Sequence, residues 1–488
     1  MKKIFFLVGI GIFASLFSKA QTDVDVLRYS ETSFGGTARY SSMGGAFGAL
    51  GADISTLSEN PAGIGLYRET EVTFTPSLFY QNTNSSYNGN STSDGKYNFN
   101  FGNIGIVTTY KNHRVKQNGW VSFNFGFGYN RQNNFNNNID IKGNNNSSSL
   151  LDDFAANANG TNYTNLDQFS TGLAFTTGLI DTVAGNNSQY KNNAIPSGTP
   201  LTQEKVIQTH GSMGETVISL GGNYMNKLFV GGTIGIDRIN YTESDLYTET
   251  VLNPSLTNLS NYSFTSDLNT VGTGVNFKFG IIYKINNWVR IGGAFHTPTF
   301  YNMNDTYSNT INGVDNHGNQ YYAASPSGNY NYYLTTPMRA IGSVAFIIAK
   351  KGLISADYEF EDYSTASLTS NDPGVFTNVD NTVQRKYTSA GNIHVGAEYR
   401  IVPPVSIRAG YALYGNPFSS EPANAGINGQ RTSYSAGFGI RNHNMFADFA
   451  YVYTMYNQTY YLYNPMLVNP AQNSMVNSSY MLTIGLRW

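Results

Sequence analysis

The chain has 488 residues with a net charge of −2, 12% charged residues, 14% aromatics, 50 glycines and no cysteine. Near-neutral charge removes any electrostatic case for a nucleic-acid partner, and the missing cysteine excludes disulfides, thiolate metal sites and a lipidated N-terminus. A soluble chain carries about twice that charge fraction, so the composition points toward a membrane.

Residues 1–20 read as a secretory signal peptide: basic Lys2 and Lys3, an apolar run from Ile4 to Phe17, and the small-x-small step Ser18-Lys19-Ala20. The mature chain is expected to begin near Gln21. Beyond it no apolar run approaches the ~20 residues of a spanning helix. Residues 21–68 follow, dense in small apolar residues, with Asp53 and the tetrapeptide Asn60-Pro61-Ala62-Gly63. Asn-Pro initiates a turn, and Gly63 is expected to supply a positive φ after it. A compact, turn-rich segment ahead of the first strand reads as a plug, or hatch, in a wide lumen.

Period-two alternation then takes over. In "WVSFNFGFGYN" (120–130), Val121, Phe123, Phe125, Phe127 and Tyr129 share one face, and Ser122, Asn124, Gly126, Gly128 and Asn130 the other. About fourteen such segments occur, near 69–80, 97–110, 119–131, 214–225, 227–242, 270–284, 287–300, 337–349, 352–363, 387–401, 404–414, 431–441, 445–460 and 476–488. Short connections alternate with long polar ones around 81–96, 131–213, 243–269, 301–336, 364–386, 415–430 and 461–475. That asymmetry marks an outer-membrane barrel with short periplasmic turns and long external loops. An even strand count puts both termini in the periplasm. The fold class is therefore an all-β transmembrane antiparallel barrel of about fourteen strands, residues 69–488, with a hatch at 21–68. The loop 131–213 is the largest, and its "SLLDDFAANA" (149–158) fits a short amphipathic helix in a folded external cap. The last strand, "YMLTIGLRW" (480–488), ends on an aromatic, which resembles the recognition signal of bacterial outer-membrane proteins.

The hatch stretch "GGAFGALGADISTLSENPAGI" resembles that of FadL/TodX-type outer-membrane transporters of long-chain fatty acids and aromatic hydrocarbons, which carry an Asn-Pro-Ala motif after a glycine-rich run with an acidic residue. The similarity continues in "VRIGGAFHTPTF" (289–300), in "TPMRAIGSVAFI" with "ADYEFEDYS", and in "VGAEYRIVPPVSIRAGYALYGNPF" (395–418). It implies passive uptake of a hydrophobic small molecule: capture by external aromatics, a shift of the hatch, and sideways release through the wall into outer-membrane lipid. Asp53, Asn60, Pro61 and Ala62 match the motif, and with Gly63 they are the residues assigned to ligand binding in the hatch. External capture is assigned to Phe154, Tyr321, Tyr322 and Tyr330, with Tyr332 and Tyr333. Pro76, which cannot donate to a ladder, and Gly126 and Gly128, which leave space in the wall, are the candidates for a wall opening. The alternatives are a structural or secretion-associated barrel that docks a protein partner, and a hemin receptor.

Strand phase assigns the interior charges: Asp357, Glu359 and Glu361 on one strand, His394, Glu398 and Arg400 on the next, and Arg408 beyond. Carboxylates can serve acid/base chemistry, but beside arginines they read as ion pairs bracing the wall, since a basic side chain facing lipid would cost about 2–4 kcal/mol at mid-depth. No Ser-His-Asp set or metal-spaced cluster stands out, so no enzyme activity, cofactor or metal is expected. Of the histidines, His113 and His443 fall in tight turns, and His210, His296 and His317 at or near the external rim.

Overall fold

The computed structural model describes residues 21–112, 118–349, 351–421, 424 and 426–488. The signal-peptide reading of 1–20 and the turn residue His113 fall outside them.

Fourteen antiparallel strands close on themselves. In chain order they are β1 (Glu71–Tyr87), β2 (Asn90–Lys111), β3 (Trp120–Asn134), β4 (Leu201–Tyr224), β5 (Leu228–Val251) and β6 (Leu259–Lys284). Then come β7 (Val289–His296, resuming as Phe300–Asp315), β8 (Gly328–Thr335, resuming as Arg339–Ile348), β9 (Gly352–Asp362) and β10 (Ser389–Val402). The last four are β11 (Val405–Tyr414), β12 (Arg431–Arg441), β13 (Met445–Tyr460) and β14 (Ala471–Arg487). Each pairs with its sequence neighbour, and β14 returns to β1 through the register Glu71↔Arg487. The alternation read from the sequence sets the two faces: Phe123, Phe125 and Phe127 are exposed outward, and Ser122, Asn124 and Asn130 are buried inward.

Several stretches expected as loops are paired strand. β2, β4, β5 and β6 run for 22, 24, 24 and 26 residues, whereas a tilted strand needs about 9–11 to cross hydrocarbon. Residues 81–96 form the outer half of the β1–β2 hairpin, closed at Asn88-Gly89 with φ of 46° and 81°. Two positive φ values in succession make the turn whose preferred sequence is Asn-Gly. Much of 243–269 and 301–336 is likewise paired, and β14 begins at Ala471 inside the expected loop 461–475. Outside the hydrocarbon both faces of a strand are polar, so the hydrophobic alternation that reveals a strand disappears while the backbone ladder continues. β7 and β8 break side by side at Pro298 and Pro337, where the missing amide donors interrupt the ladder. Thr336 N donates across the break to Thr299 O at 3.1 Å.

The extended strands carry a roof. After β3 the chain makes the strand Asn137–Asn145, paired on β4, then helix α2 (Leu150–Ala158) and a short helix Thr171–Thr176. Leu151, Phe154, Leu173 and Ile180 bury with Tyr87, Ile141, Tyr247, Tyr262 and Tyr463 in one apolar core over that end of the barrel. The stretch 364–386 contributes helix α3 (Thr377–Lys386), whose Val383 joins a second core lower down.

Residues 21–66 occupy the lumen. Helix α1 (Asp23–Ser30) leads to the one-turn helix Ala38–Ser41 against β12, β13 and β14, and the 3₁₀ turn Pro61–Leu66 packs on β4, β5 and β6.

Candidate functional site

Small residues let residues 21–66 approach the wall closely, and the polar wall face supplies bonds around the ring. Ala38 N donates to Thr483 of β14 at 2.7 Å, Gly44 N to Ser435 of β12 at 3.1 Å, and Gly48 N to Asp357 of β9 at 2.8 Å. In return Thr233 of β5 donates to Leu57 O at 2.9 Å, Arg290 of β7 to Leu50 O at 3.1 Å, and Asn124 of β3 to Ile64 O. These bonds satisfy backbone groups that a dry interior would otherwise leave unpaired.

The motif residues organise this segment. Asp53 accepts from Thr37 Oγ1 at 2.9 Å and from Ser55 N at 3.1 Å, tying its two halves together. Asn60 Nδ2 donates to Gly48 O at 2.6 Å and to Ile281 O of β6 at 3.4 Å, while its Oδ1 accepts from Ala62 N at 3.1 Å. The side chain thus caps the 3₁₀ turn that Pro61 begins, where the ring's missing amide costs nothing. Gly63 is not a positive-φ residue; those here are Gly36, Gly44, Gly45, Gly51 and Ala52. Its need is room, since a Cβ would lie 2.5 Å from Thr56 Oγ1 and 3.0 Å from Gly51 Cα.

Only part of the interior charge assigned from strand phase forms ion pairs: Asp357 instead accepts from Gly48 N at 2.8 Å, and Glu359 from Asn392 Nδ2 at 2.7 Å. Arg408 bonds Glu398 at 2.6 Å and Asp448 at 2.7 Å, Arg39 reaches the same Glu398 at 3.1 Å, and Arg339 meets Glu361 at 3.3 Å. The arrangement braces the wall, and it also grips the lumenal segment, because Arg39 belongs to that segment and Arg339 donates to Ser30 O at 3.1 Å. Lys278 pairs with Glu215, a pair that alternation alone did not single out. Arg400 is exposed near the turn end, away from this network. A cavity of about 50 Å³ remains, lined by Glu59, Lys278, Arg339, Glu359 and His394 on one side and Asn130–Gln132 on the other.

His296, expected near the rim, is buried inside, with Nε2 on Glu59 O at 2.7 Å, and His394 Nδ1 bonds Gly44 O at 2.7 Å. Neither presents a free ring nitrogen outward. His210 lies 2.9 Å from Lys96 Nζ, and His317 and His443 are exposed in turns. Among the described residues no group of three or more His, Cys, Asp or Glu is arranged to hold a metal ion.

The proposed wall residues separate into two environments. Gly126 and Gly128 lie on a continuous ladder, opposite Val107 and Gly105 of β2 and Ser219 and Val217 of β4. Their missing side chains leave no hole: a Cβ on Gly126 would sit 2.7 Å from Leu57 and 3.0 Å from Ile64, and one on Gly128 3.4 Å from Ile54. The lumenal segment fills that space. Pro76 marks a discontinuity, because the β1–β2 register shifts between Thr75 and Pro76, opposite Gly102. Immediately beyond, the β2–β3 ladder ends at Asn103↔Asn130. Past that level β2 is paired only with β1. The edge of β3 is taken instead by the lumenal segment: Ser33 N donates to Gln132 O at 2.8 Å, and Asn133 Nδ2 donates to Glu31 O at 3.1 Å. Farther out no backbone ladder crosses the seam, and it is bridged by side chains to side chains and to carbonyls: Asn134 Nδ2 lies 3.4 Å from Asn98 Oδ1 and Lys96 Nζ 3.2 Å from Asn138 Oδ1, and Thr92 Oγ1 donates to Asp140 O. Phe99 and Phe101 stand exposed on its outer side.

Of the aromatics assigned to capture, Tyr321, Tyr322 and Tyr333 are exposed. Tyr330 is half-buried beside Tyr332 and Phe376, and Tyr332 is buried. Phe154 is buried too, edge-on to Phe264 in the roof core, and is not available to a ligand in this conformation.

A family model described as outer membrane protein transport protein (OMPP1/FadL/TodX) matches residues 19–477. The fold is similar to that of a Pseudomonas aeruginosa FadL homologue (TM-score 0.54, 13% identity, covering 93% of this chain and 99% of that one). It is also similar to the P. putida toluene transporter TodX (0.53, 10%, 93% and 99%) and the Ralstonia pickettii toluene transporter TbuX (0.50, 15%, 93% and 98%). At these identities the likeness to solved structures is one of fold. No curated protein matches the chain by sequence.

Proposed function

The chain belongs to the outer membrane protein transport family (OMPP1/FadL/TodX), and from that premise we propose that it is a Gram-negative outer-membrane channel for the passive uptake of hydrophobic small molecules, aromatic hydrocarbons or long-chain fatty acids. The roofed end faces the exterior, and the short turns and both termini face the periplasm. Residues 21–68 are the hatch. Exposed Tyr321, Tyr322 and Tyr333 collect cargo, the roof and hatch shift to admit it, and it leaves sideways into lipid.

The observation that carries this reading is the seam between β2 and β3. A barrel normally closes every strand edge, because an unpaired backbone facing hydrocarbon is costly. Here the ladder stops at Asn103↔Asn130, beside the Pro76–Gly102 irregularity, and residues 31–33, which belong to no strand of the wall, cover the exposed edge. When residues 31–36 withdraw, the lumen communicates with lipid beside Phe99 and Phe101. The opening lies farther along the strand than Gly126 and Gly128. A lumen occupied by residues 21–66 fits the same mechanism, since cargo and hatch exclude each other.

The chain lacks cysteine, so a pair placed at Asn98 and Asn134 can be joined by a short cleavable thiol crosslinker without side reactions. Crosslinked cells should take up labelled toluene or oleate several-fold more slowly and recover on reduction. Unchanged uptake in fully crosslinked protein would eliminate exit through this seam.

A further inference from the structure

A larger cavity lies outside the lumen. It measures about 710 Å³ and lies against the outer wall of β1, β2, β13 and β14, overhung by Gly426 and Asn428 of the β11–β12 connection. Pockets of about 300–1,000 Å³ are the size that holds a discrete ligand.

The wall contributes two complete cross-strand rows. One runs Ser93–Asn84–Ser474–Asn457, the other Ser91–Ser86–Gln472–Thr459, each step a paired position in the ladder. Within a row, neighbours stand about 4.8 Å apart, and the rows about 7 Å apart. All eight side chains are hydroxyls or amides; none is charged and none apolar. Among the residues lining the cavity there is no acid, base or aromatic ring. Such a surface offers nothing to a phosphate or carboxylate, which calls for Arg, Lys or a cluster of backbone amides, and nothing to an apolar chain. It suits a ligand whose groups both donate and accept hydrogen bonds at close spacing, as neutral sugar hydroxyls do.

Its height fixes the source. Four residues back along each strand, Tyr97, Tyr80, Ser478 and Tyr453 form the corresponding row, with the Tyr80 and Tyr97 rings 4.3 Å apart. The next row holds Phe99, Leu78, Tyr480 and Tyr451. Aromatic rows of this kind mark the membrane–water interface. Four residues of a strand tilted about 45° rise roughly 10 Å, which brings the hydroxyl–amide array just outside the hydrocarbon, at headgroup level. We propose that this array binds the neutral saccharide portion of a glycolipid in the surrounding leaflet. The proposal rests on the outer-membrane orientation given above and is independent of uptake.

Full-length protein, immobilised in detergent, would be exposed to three probes: digalactosyl diacylglycerol, a glycolipid whose sugars carry no charge, its disaccharide freed of lipid, and diacylglycerol freed of sugar. The intact glycolipid should bind at least tenfold more tightly than either fragment. The triple variant Asn84→Ala/Asn457→Ala/Gln472→Ala should lose about that factor while keeping its tryptic pattern and wild-type uptake of apolar cargo. The single variant Asn84→Ala should show an intermediate loss if the triple variant fails to assemble. Equal binding of diacylglycerol overturns the sugar assignment, and equal binding of the free disaccharide overturns the membrane source. No binding to the wild type, or binding unchanged in the variants, overturns the site itself. An uptake defect in the seam-crosslinked protein leaves all of these outcomes unaltered.

Discussion

At the scale of single residues, this barrel is held by side chains that complete someone else's backbone. Asn60 bonds Gly48 O, Ile281 O and Ala62 N at once. Asn60→Ala removes the side-chain partner of buried Gly48 O and Ala62 N, at about 1–3 kcal/mol for each group left unsatisfied, while Ile281 O remains within the β5–β6–β7 ladder. The expected result is faster thermolysin cleavage within 21–68 with the barrel strands still protected; wild-type cleavage rates would count against the capping role. Gly126→Trp tests the contact from the wall side. The indole must displace Leu57 and Ile64, whereas the strand ladder uses only backbone groups. Assembly should survive while the hatch becomes protease-sensitive.

At the scale of elements, the roof depends on one carboxylate. Glu249 sits at the far end of β5, outside the membrane span, and accepts from Leu150 N at 3.0 Å, Gln203 Nε2 at 2.9 Å, Tyr247 OH at 2.6 Å and Ser149 Oγ. It anchors the N-terminus of α2, with Tyr262 also beside it. Burial raises its pKa above the ordinary glutamate value of 4.5, against the lowering effect of those hydrogen bonds. A carboxyl whose folded pKa lies above its unfolded one stabilises the fold fully below the unfolded value and loses that contribution as pH rises through the folded value. Proteolysis of residues 159–165, exposed between the roof helices, should therefore slow as pH falls toward 4.5. In Glu249→Gln that dependence should flatten; an unaltered pH profile would show that another group sets it.

At the scale of the whole molecule, the lumenal segment serves both as filling and as a stand-in strand edge. Deleting residues 22–60 removes Ser33, which occupies Gln132 O on β3, together with every contact of Leu57 and Ile54. Such a protein should assemble yet conduct ions in planar bilayers, because the remaining lumen face is polar and the β2–β3 seam is uncovered. Conductance no greater than that of the intact protein would remove the plug role.

Alternation in "WVSFNFGFGYN", repeated fourteen times, was enough to determine a closed barrel and to assign Asp357, Glu361, His394 and Arg408 to its interior, because membrane and lumen impose opposite polarity on alternate residues. That signal fades beyond the hydrocarbon. The outer halves of β1, β2, β4, β5 and β6 therefore read as loops, although Asn88-Gly89 announced one of the hairpins. Proximity was decided only in three dimensions. Nothing local in Gly126 or Gly128 tells whether the space beside a glycine is open or filled by Leu57, and Pro76 marks an irregularity without telling which neighbouring strand departs. The β2–β3 seam and the eight-residue polar array exist only through register across separate strands, a relation between distant parts of the chain that no short stretch of sequence carries.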